Sequence, residues 1–266
     1  MDQFKASGPP TLTAMTYNIH SCIDLYRQEN PSAVARVIAA ADPDVVALQE
    51  VQSFSPRVVA YQRNQARWLG ALLDMQSLFY PLRKARWGSF GLAVLSKLPV
   101  KVVKMGMLPD GGGTVFRETR GAIWCQVETD SGPVHFINTH LGLRLIDRRV
   151  QIAHLLGSSW LGGIDAEEPL VFCGDFNAGP RSTLYRQITR RYKDVQGHTG
   201  QPGFPKATFH SIYPLRRLDH IFISGRLMPL SVNVARDPAA RRASDHLPVS
   251  VRLKLEPAPV SNRSLA

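Results

Sequence analysis

The sequence predicts a single α/β domain with a mixed or antiparallel sheet. The chain has 266 residues, of which 44% are hydrophobic, which is enough for one sizeable core. Helical and β-like patterns alternate at the start of the chain, whereas β-like runs dominate from residue 91 to residue 140. This stretch favours a mixed or antiparallel sheet over a doubly wound one. We expect one domain at residues 11–255, with flexible tails at 1–10 and 256–266.

Four helices are predicted between the β-like runs. Asn30 is a good N-cap and Pro31 suits the first helical turn, which predicts a helix over residues 31–41. The other three predicted helices cover residues 60–73, 147–160 and 182–190. Strands fit most of the remaining sequence.

Four short motifs place acidic or amide side chains beside β-like runs. An alternating run leads to Asn18, apolar runs end before Glu50 and Asp175, and another begins after Asp245. Asn177 follows two residues after Asp175. Mg²⁺ takes oxygen ligands and keeps several waters, so one or two carboxylates with phosphate oxygens can hold it. Together the motifs predict a divalent-metal phosphoesterase site.

Two further motifs follow the same pattern. His140 ends a β-like run at residues 136–141, and Asp219 lies in another run at residues 218–223. An Asp or His beside a strand is ordinary, and each motif alone would more often be a turn or a cap. The prediction therefore depends on the recurrence of the pattern along the chain.

The ordered motifs resemble those of the endonuclease/exonuclease/phosphatase superfamily. This superfamily includes DNase I, exonuclease III-type repair nucleases, neutral sphingomyelinases and inositol polyphosphate 5-phosphatases. The resemblance runs from about Thr13 to Leu253 and rests on the motifs TYN, LQE, ETRG, NTH, GDFN, LDH and SDHLP. It implies the DNase I-like fold, a four-layered α/β sandwich of two mixed β-sheets flanked by helices, with the site at one edge.

The resemblance implies a metal site on three of these residues. Glu50 matches the principal metal ligand, and Asn18 and Asp245 are expected near the same ion. The implied cofactor is Mg²⁺, with Mn²⁺ as an alternative. The resemblance leaves open whether one or two metals act.

The remaining motif residues are implied to act on water and phosphate. Asp175 is expected to orient or deprotonate the attacking water, and Asn177 to contact the scissile phosphate. His140 and His246 are expected to meet the phosphate from either side, with Asp219 orienting His246. The ion and an imidazolium would stabilise the charge that grows on the phosphate oxygens. The proton donor to the leaving group stays open.

Two arginines are candidates to match the superfamily pattern near the phosphate, and two other residues differ from it. Arg120 resembles an arginine near the phosphate, to which a guanidinium can donate two hydrogen bonds, and Arg117 is the less favoured alternative. Many members carry an amide at the position of Leu92 and Tyr at that of His220. We expect His220 to be a strand histidine that is hydrogen-bonded beside the site.

The net charge of +11 predicts a polyanionic partner. If basic side chains ring the pocket, DNA, RNA or acidic lipid headgroups would be attracted to it. Phe90 and Trp87 could stack on unpaired bases, although an aromatic beside arginines also suits contact with a membrane surface. The basic clusters near the motifs lie at residues 83–86, 144–149, 216–217 and 241–242.

These patterns favour a metal-dependent phosphodiesterase that acts as a nuclease on DNA or RNA. The alternative is a phospholipid, sphingomyelin or phosphoinositide phosphoesterase with the same chemistry, which would make peripheral membrane contact. A third alternative is a binding protein that has lost catalysis, but every expected acid, amide and histidine is present. The oligomeric state stays open.

The sequence shows no signal for membrane insertion. Its N-terminus lacks the apolar region of a signal peptide, and it contains no apolar run long enough to span a bilayer. We therefore expect a cytoplasmic protein.

Overall fold

The computed structural model describes residues 10–54, 64–85, 88–112 and 118–256. These residues form two six-stranded β-sheets with helices packed against them. The described strands, β1 to β12 in chain order, are Thr11–Asn18, Val45–Phe54, Gln76–Ala85, Gly88–Ser96, Val100–Met107, Gly121–Thr129, Gly132–His140, Leu170–Asp175, Lys193–Asp194, Asp219–Ser224, Leu227–Val234 and Val249–Leu255. The described helices, α1 to α6, are Pro31–Ala41, Gln65–Leu73, Leu145–Leu155, Thr183–Thr189, Val195–His198 and Pro238–Ala243.

Each sheet is mixed and has one parallel pair at its centre. The strand order is β11-β12-β1-β2-β4-β3 in the first sheet and β5-β6-β7-β8-β10-β9 in the second. Strands β1 and β2 are parallel, as are β7 and β8, and the other pairs are antiparallel. Parallel neighbours end at the same edge, so Asn18 lies opposite Gln49 and His140 lies opposite Asp175. This architecture is the DNase I-like α/β sandwich that the resemblance implied.

The core has two parts because the central strands are apolar on both faces. Phe136 and Val171 belong to the larger cluster, which joins the two sheets, whereas Ile137 and Phe172 belong to a second cluster under α3 and α4. Successive side chains of a strand point to opposite faces, which explains this division. Continuous apolar runs therefore mark strands that are covered on both sides.

Helix α1 has the predicted bounds and the predicted N-cap, and α4 also begins at a side-chain N-cap. Asn30 Oδ1 accepts a hydrogen bond from Ala33 N (3.0 Å), and Ser182 Oγ accepts one from Tyr185 N (3.1 Å). Helix α4 is one residue shorter than predicted at each end. In the region predicted as helix from 60 to 73, α2 begins at Gln65, and residues 60–63 lie outside the described part.

The prediction of a helix over residues 147–160 is wrong at both ends. Helix α3 begins at Leu145 and ends at Leu155, after which Gly157 N donates to His154 O (3.1 Å). Glycine and serine are weak helix formers, and the turn at residues 157–159 brings Trp160 into the core, where it is fully buried. The sequence prediction also missed α6, although Asp237 and Pro238 form an N-cap and first-turn pair.

Of the predicted tails, the described part of the chain includes only Pro10 and Glu256. Both residues form backbone hydrogen bonds with the domain. Pro10 O accepts from Leu255 N (3.1 Å), and Glu256 N donates to Arg226 O (2.9 Å). The longest described helices, α1 and α3, have 11 residues each, and none in this part of the chain could span a bilayer.

Candidate active site

Asn18 joins the two sheets at the edge where the central strands end. Its buried amide nitrogen donates to Glu50 Oε1 and to Asp175 Oδ2, both at 3.0 Å. Its side-chain oxygen accepts from His20 N (3.1 Å). Asn18 therefore lies beside Glu50, and its amide nitrogen is a hydrogen-bond donor to both carboxylates.

A second amide pair locks the sheets together beneath Asn18. Gln49 Nε2 donates to Asn138 Oδ1 (2.8 Å), and Asn138 Nδ2 donates to Leu48 O (3.0 Å) and Ala93 O (2.9 Å). Both amides are completely buried. Sequence reasoning missed this pair, although an amide inside an apolar run was a usable signal because buried polar groups need partners.

Glu50 reaches the site through an irregularity in β2. The register between β2 and β4 shifts between Leu48 and Val51, and Glu50 has a left-handed φ of 57°. A bulge of this kind redirects a side chain from the regular alternation of a strand. Glu50 is half-buried and lines a cavity of about 120 Å³ together with Arg83, Phe90, Glu118, Thr119 and Arg120.

His140 is a buried, neutral imidazole. Its Nδ1 lies 2.8 Å from Arg120 Nη1, and its Nε2 lies 3.4 Å from Asp175 Oδ2. A guanidinium can only donate, so Nδ1 accepts and the ring proton resides on Nε2, toward Asp175. Burial, with the charges of Arg120 and His246, holds the pKa of His140 well below its usual value.

His246 lies between two buried carboxylates. Asp219 and Asp175 are direct cross-strand neighbours in the register of β10 and β8. His246 Nδ1 is 2.9 Å from Asp219 Oδ2, and its Nε2 is 3.7 Å from Asp175 Oδ2. Burial lowers the pKa of His246, but the charges of Asp219 and Asp175 outweigh it and raise the pKa to about 10. The ring is therefore an imidazolium at neutral pH.

The pKa of the Asp175 carboxyl group is raised toward neutral pH. Burial raises this pKa to about 6, although the charge of His246 and the hydrogen bonds from Asn177 N and Asn18 act in the opposite direction. Gly174 permits this position, because it has a φ of 147° and an added Cβ would lie 1.9 Å from Thr139 O. Asp175 is thus ionised at neutral pH and remains able to accept a proton.

Asn177 turns back over the site through a left-handed φ of 48°. Its N donates to Asp175 Oδ1 (2.9 Å), and its Nδ2 donates to Leu141 O (2.9 Å). The same Nδ2 lies 3.1 Å from His140 Nε2, but both nitrogens carry protons, so this close contact is not a hydrogen bond. The amide is therefore fixed beside both His140 and Asp175.

Asp245 enters from the segment before β12 and is 24% exposed at its side chain. The neighbouring Ser244 Oγ donates to Asn18 O (2.8 Å) and accepts from His246 N (3.2 Å), which fixes this segment at the end of β1. His20 Nδ1 lies 3.9 Å from Asp245 Oδ1 on the same side of the site.

Two residues outside the motifs support the His246 arrangement. The ring of Phe209 packs against that of His246 with a centroid separation of 4.9 Å. Thr208 Oγ1 accepts from Leu218 N (3.2 Å) and Asp219 N (3.3 Å). They lie on a loop with no β-like run beside it, so the sequence pattern gave no signal for them.

The predicted basic ring is only partly formed, because several arginines are used inside the protein. Arg144 makes a two-point ion pair with Asp147 (2.6 Å each), and Arg217 pairs with Asp194 (2.7 Å). Arg241 donates from Nε to Arg236 O and from Nη1 to Ser211 O, both at 2.8 Å. Exposed basic side chains near the site include Arg83 and Arg216. Arg86, Trp87 and Arg117 lie outside the described residues.

His220 and Leu92, the two residues that depart from the superfamily pattern, are both buried. His220 Nε2 lies 2.9 Å from Ala178 O, and burial lowers its pKa to about 4. This agrees with the prediction of a hydrogen-bonded strand histidine. Leu92 is a core residue, so its side chain contacts other apolar groups of the sandwich.

Two sets of side chains have the chemistry of cation ligands. Asp175, Asp219 and His246 offer ligand atoms within 4.8 Å of one another. A proton already balances that set, because His246 has a pKa of about 10. Glu50 and Asp245, both partly exposed beside Asn18, are oxygen donors and suit a hard divalent cation. The residues present therefore fit a divalent metal.

The fold and this cluster of acids, amides and histidines define a phosphoester hydrolase of the DNase I-like class. The chain belongs to the Endonuclease/Exonuclease/phosphatase family, whose model matches residues 15–246. A search of curated proteins gave no match.

Solved structures with the same fold come from several proteins. An endonuclease/exonuclease/phosphatase from Beutenbergia cavernae is 24% identical with a TM-score of 0.77, covering 95% of this chain and 73% of its own. The human Nocturnin catalytic domain with bound sulfate is 23% identical with a TM-score of 0.71, covering 93% and 94%. A mannosyl-6-phosphatase from Bacteroides thetaiotaomicron is 19% identical with a TM-score of 0.72, covering 91% and 99%. At these identities the likeness establishes the fold.

Proposed function

We propose that this protein is a divalent-metal-dependent phosphodiesterase with one catalytic domain at residues 11–255, acting in the cytoplasm. The observation that carries the proposal is the hydrogen-bonded cluster formed across both sheets. In it, Asn18 bridges Glu50 and Asp175, and the imidazolium of His246 lies between Asp175 and Asp219. A general base, a buried cation and oxygen ligands for a metal are thereby within reach of one bound phosphate.

Glu50 and Asp245 are the proposed metal ligands, and Asn18 holds Glu50 in place by donating to it. Mg²⁺ is the proposed ion, with Mn²⁺ as the alternative. When bound, it supplies a positive charge that polarises a phosphoryl oxygen. The partial exposure of both carboxylates leaves room for the water molecules that Mg²⁺ retains.

Asp175 is the proposed general base for the attacking water. Its pKa of about 6 makes it ionised at neutral pH and basic enough to accept a proton. Its Oδ1 accepts from Asn177 N and its Oδ2 accepts from Asn18 Nδ2, so both oxygens are held in fixed directions. No covalent intermediate on the protein is needed.

His246, Asn177, His140 and Arg120 are proposed to bind the phosphate as charge develops. The His246 imidazolium contributes a full positive charge, whereas His140 is neutral and can only donate from Nε2. Asn177 contributes its amide, and Arg120 contributes a guanidinium that is already oriented by His140. Fixed donors in a buried site stabilise growing charge without reorganising during the reaction.

Nucleic acid is the substrate class that the sequence favours, and part of the site supports it. Arg83 lies over the ring of Phe90 (5.9 Å), and both line the cavity beside Glu50. An exposed guanidinium on an aromatic ring offers a phosphate contact together with a surface on which a base can stack. On this basis the activity would be that of a nuclease on DNA or RNA.

A phospholipid-type diester is the second candidate substrate, and one observation favours it. Two segments beside the site expose large aliphatic and aromatic side chains, among them Leu143 (64% exposed), Tyr213 (80%) and Leu215 (88%). Contiguous exposed apolar groups mark an interaction surface.

The proposed chemistry is tested with Glu50→Ala and a soluble diester, bis(p-nitrophenyl) phosphate. Metal-dependent hydrolysis should be lost, while the folded state is retained because Glu50 is partly exposed on a bulge. Glu167→Ala is the matched control, since Glu167 is exposed near the start of β8, at the opposite end from the site. Equal hydrolysis by Glu50→Ala and the parent would contradict the assignment. A parallel screen of DNA, RNA, phosphoinositides, sphingomyelin and sugar phosphates identifies the substrate.

A further inference from the structure

Six large apolar side chains project into solvent from two segments that flank the candidate active site. One segment is the hairpin at residues 209–216, and the other is the loop between β7 and the first turn of α3. We call this surface the apolar rim. Its members, all more than two-fifths exposed, are Leu143, Leu145, Ile146, Ile212, Tyr213 and Leu215.

The hairpin is attached directly to the catalytic cluster. Phe209 pairs with Arg216 at its base, and the Phe209 ring packs on His246. Ser211 N donates to Asp245 O (2.7 Å), and Arg241 Nη1 donates to Ser211 O (2.8 Å). These bonds hold the backbone, so the exposed Ile212, Tyr213 and Leu215 are presented on an ordered support.

Arginine side chains also fix the second segment, the loop between β7 and the first turn of α3. Arg144 is tied to Asp147 through two hydrogen bonds (2.6 Å each) and to Gly112 O (2.9 Å). Arg148 donates to Gly142 O (3.2 Å) and to Leu143 O. The arginines thus satisfy backbone carbonyls and leave the neighbouring leucine and isoleucine side chains facing outward.

Basic side chains lie beside both apolar segments. Arg148 Nη1 donates to Leu143 O in the loop before α3, and the exposed Arg216 pairs with Phe209 at the base of the hairpin. Arg181, Lys206 and Arg216 line an adjoining groove of about 540 Å³ at the base of the hairpin. The surface therefore combines exposed apolar tips with positive charge around the mouth of the site.

We propose that the apolar rim docks the active site onto an anionic lipid bilayer, with its side chains in the headgroup and upper acyl region. The proposal rests on the phosphodiesterase function and takes up the second of its two candidate substrates, a phospholipid-type diester at a lipid surface. Apolar side chains partition into the membrane interface, while arginine and lysine are attracted to anionic headgroups. The net charge of +11 adds long-range attraction to such a surface.

The composition of the rim favours lipid over nucleic acid. Five of its six members are aliphatic, and only Tyr213 has a ring that could stack on a base. Arg144, Arg217 and Arg241 belong to the basic clusters near the motifs, and they are bound to carboxylates or carbonyls of the protein itself. Leucine and isoleucine at such exposure gain most by leaving water for an apolar phase.

The test measures partitioning of the full chain onto vesicles of phosphatidylcholine alone and of an equimolar mixture with phosphatidylglycerol. The double substitution Tyr213→Ser with Leu215→Ser should weaken partitioning onto the mixed vesicles by roughly a hundredfold, and Leu143→Ser by roughly tenfold. Arg216→Gln should weaken it about fivefold on the mixed vesicles and leave phosphatidylcholine binding unchanged. Leu72→Ser, at a residue 53% exposed beside Asp74 and far from the site, should change nothing.

The same experiment separates failure of this inference from failure of the proposed function. Glu50→Ala should partition like the parent while losing hydrolysis, so the binding result stands whether or not a diester is cleaved. Unchanged partitioning of the Tyr213→Ser, Leu215→Ser variant would overturn the proposal. So would a variant that loses affinity for single-stranded DNA or RNA but keeps its affinity for the mixed vesicles, because the rim would then be a nucleic-acid contact.

Discussion

Two histidines in the same cluster are buried to a similar extent but carry opposite charge. His140 faces the guanidinium of Arg120 at 2.8 Å, and its pKa is held well below the usual value. His246 lies between Asp219 and Asp175, and its pKa is raised to about 10. Burial lowers the pKa of both rings, so the neighbouring charges decide the outcome. The difference assigns the imidazolium of the site to His246 and a neutral donor to His140.

This asymmetry adds a distinction that the sequence prediction did not make. The sequence placed His140 and His246 on either side of the phosphate without distinguishing their protonation. Of the two rings, His246 is the one that offers a full positive charge at neutral pH, and its charge also stabilises the adjacent Asp175 and Asp219. The two rings should therefore respond differently to substitution and to pH.

The largest effect is expected for His246→Gln. An amide of similar size retains one donor but lacks the charge, so hydrolysis of bis(p-nitrophenyl) phosphate should fall about 10³-fold. The control is His154→Gln, because His154 is exposed on α3, where its Nε2 accepts a hydrogen bond from Trp160 Nε1 (3.2 Å). A His246→Gln variant that is folded and as active as the parent would remove the proposed role of the imidazolium.

Asp219→Asn should have the next largest effect, about 10²-fold on the same rate, by acting through His246. Asp219 is the strongest of the charges that raise the pKa of His246, and Asp245 is the weakest of the causes. NMR titration of the imidazole without metal should therefore show a much larger fall in pKa for Asp219→Asn than for Asp245→Asn. Equal shifts would mean that the short hydrogen bond to Asp219 does not control the protonation of His246.

The pH dependence of stability should separate the two histidines. The folded-state pKa of His246, about 10, exceeds the usual value of about 6.5. Its stabilising contribution, a few kcal/mol, is fully present below pH 6.5 and is lost as the pH rises through 10. The pKa of His140 is lowered, so its contribution is lost instead as the pH falls below about 6.5.

Urea unfolding midpoints from about pH 5 to pH 10 check this prediction. His246→Gln should flatten the alkaline limb of the stability curve, and His140→Gln should flatten the acidic limb. Asp175, with its pKa of about 6, also titrates on the acidic side, so the comparison is between each variant and the parent. A change in the alkaline limb caused by His140→Gln would contradict the assignment.

The sequence predicted the strand-end residues well because each lies at the boundary of an apolar run. Glu50, Asp175 and Asp219 could be located from this pattern, although only two of them lie at strand ends in the structure. Asp175 ends β8 beside the parallel β7, Asp219 begins β10 in antiparallel register with β8, and Glu50 lies within β2 at a bulge. The two-sheet sandwich itself was predicted through the family resemblance. Local patterning and motif order were therefore sufficient for the fold class and for the members of the cluster.

The remaining features depend on which segments meet in space. Arg120 is a local motif residue, but its effect on His140 requires the pairing of β6 with β7, which places Gly121 opposite His140. Phe209 contacts His246 from a loop without periodicity. The fate of the basic clusters was also hidden, since Arg217 lies buried against Asp194, a partner 23 positions earlier in the sequence. Charge counted along a chain does not reveal how much of it is neutralised inside.

Arg120→Met should have the smallest effect on hydrolysis among these substitutions. It tests the claim that the neighbouring guanidinium helps to keep His140 neutral. Loss of a charged hydrogen bond is worth roughly 2 kcal/mol, so hydrolysis should fall by about tenfold to a hundredfold. The pKa of His140 should rise but stay below its usual value, because burial is the larger cause of its lowering. Arg144→Met, which removes an arginine paired with Asp147, should leave the His140 titration unchanged. An unshifted His140 in Arg120→Met would mean that burial alone keeps the ring neutral, and the contrast between the histidines would then rest on the carboxylates around His246.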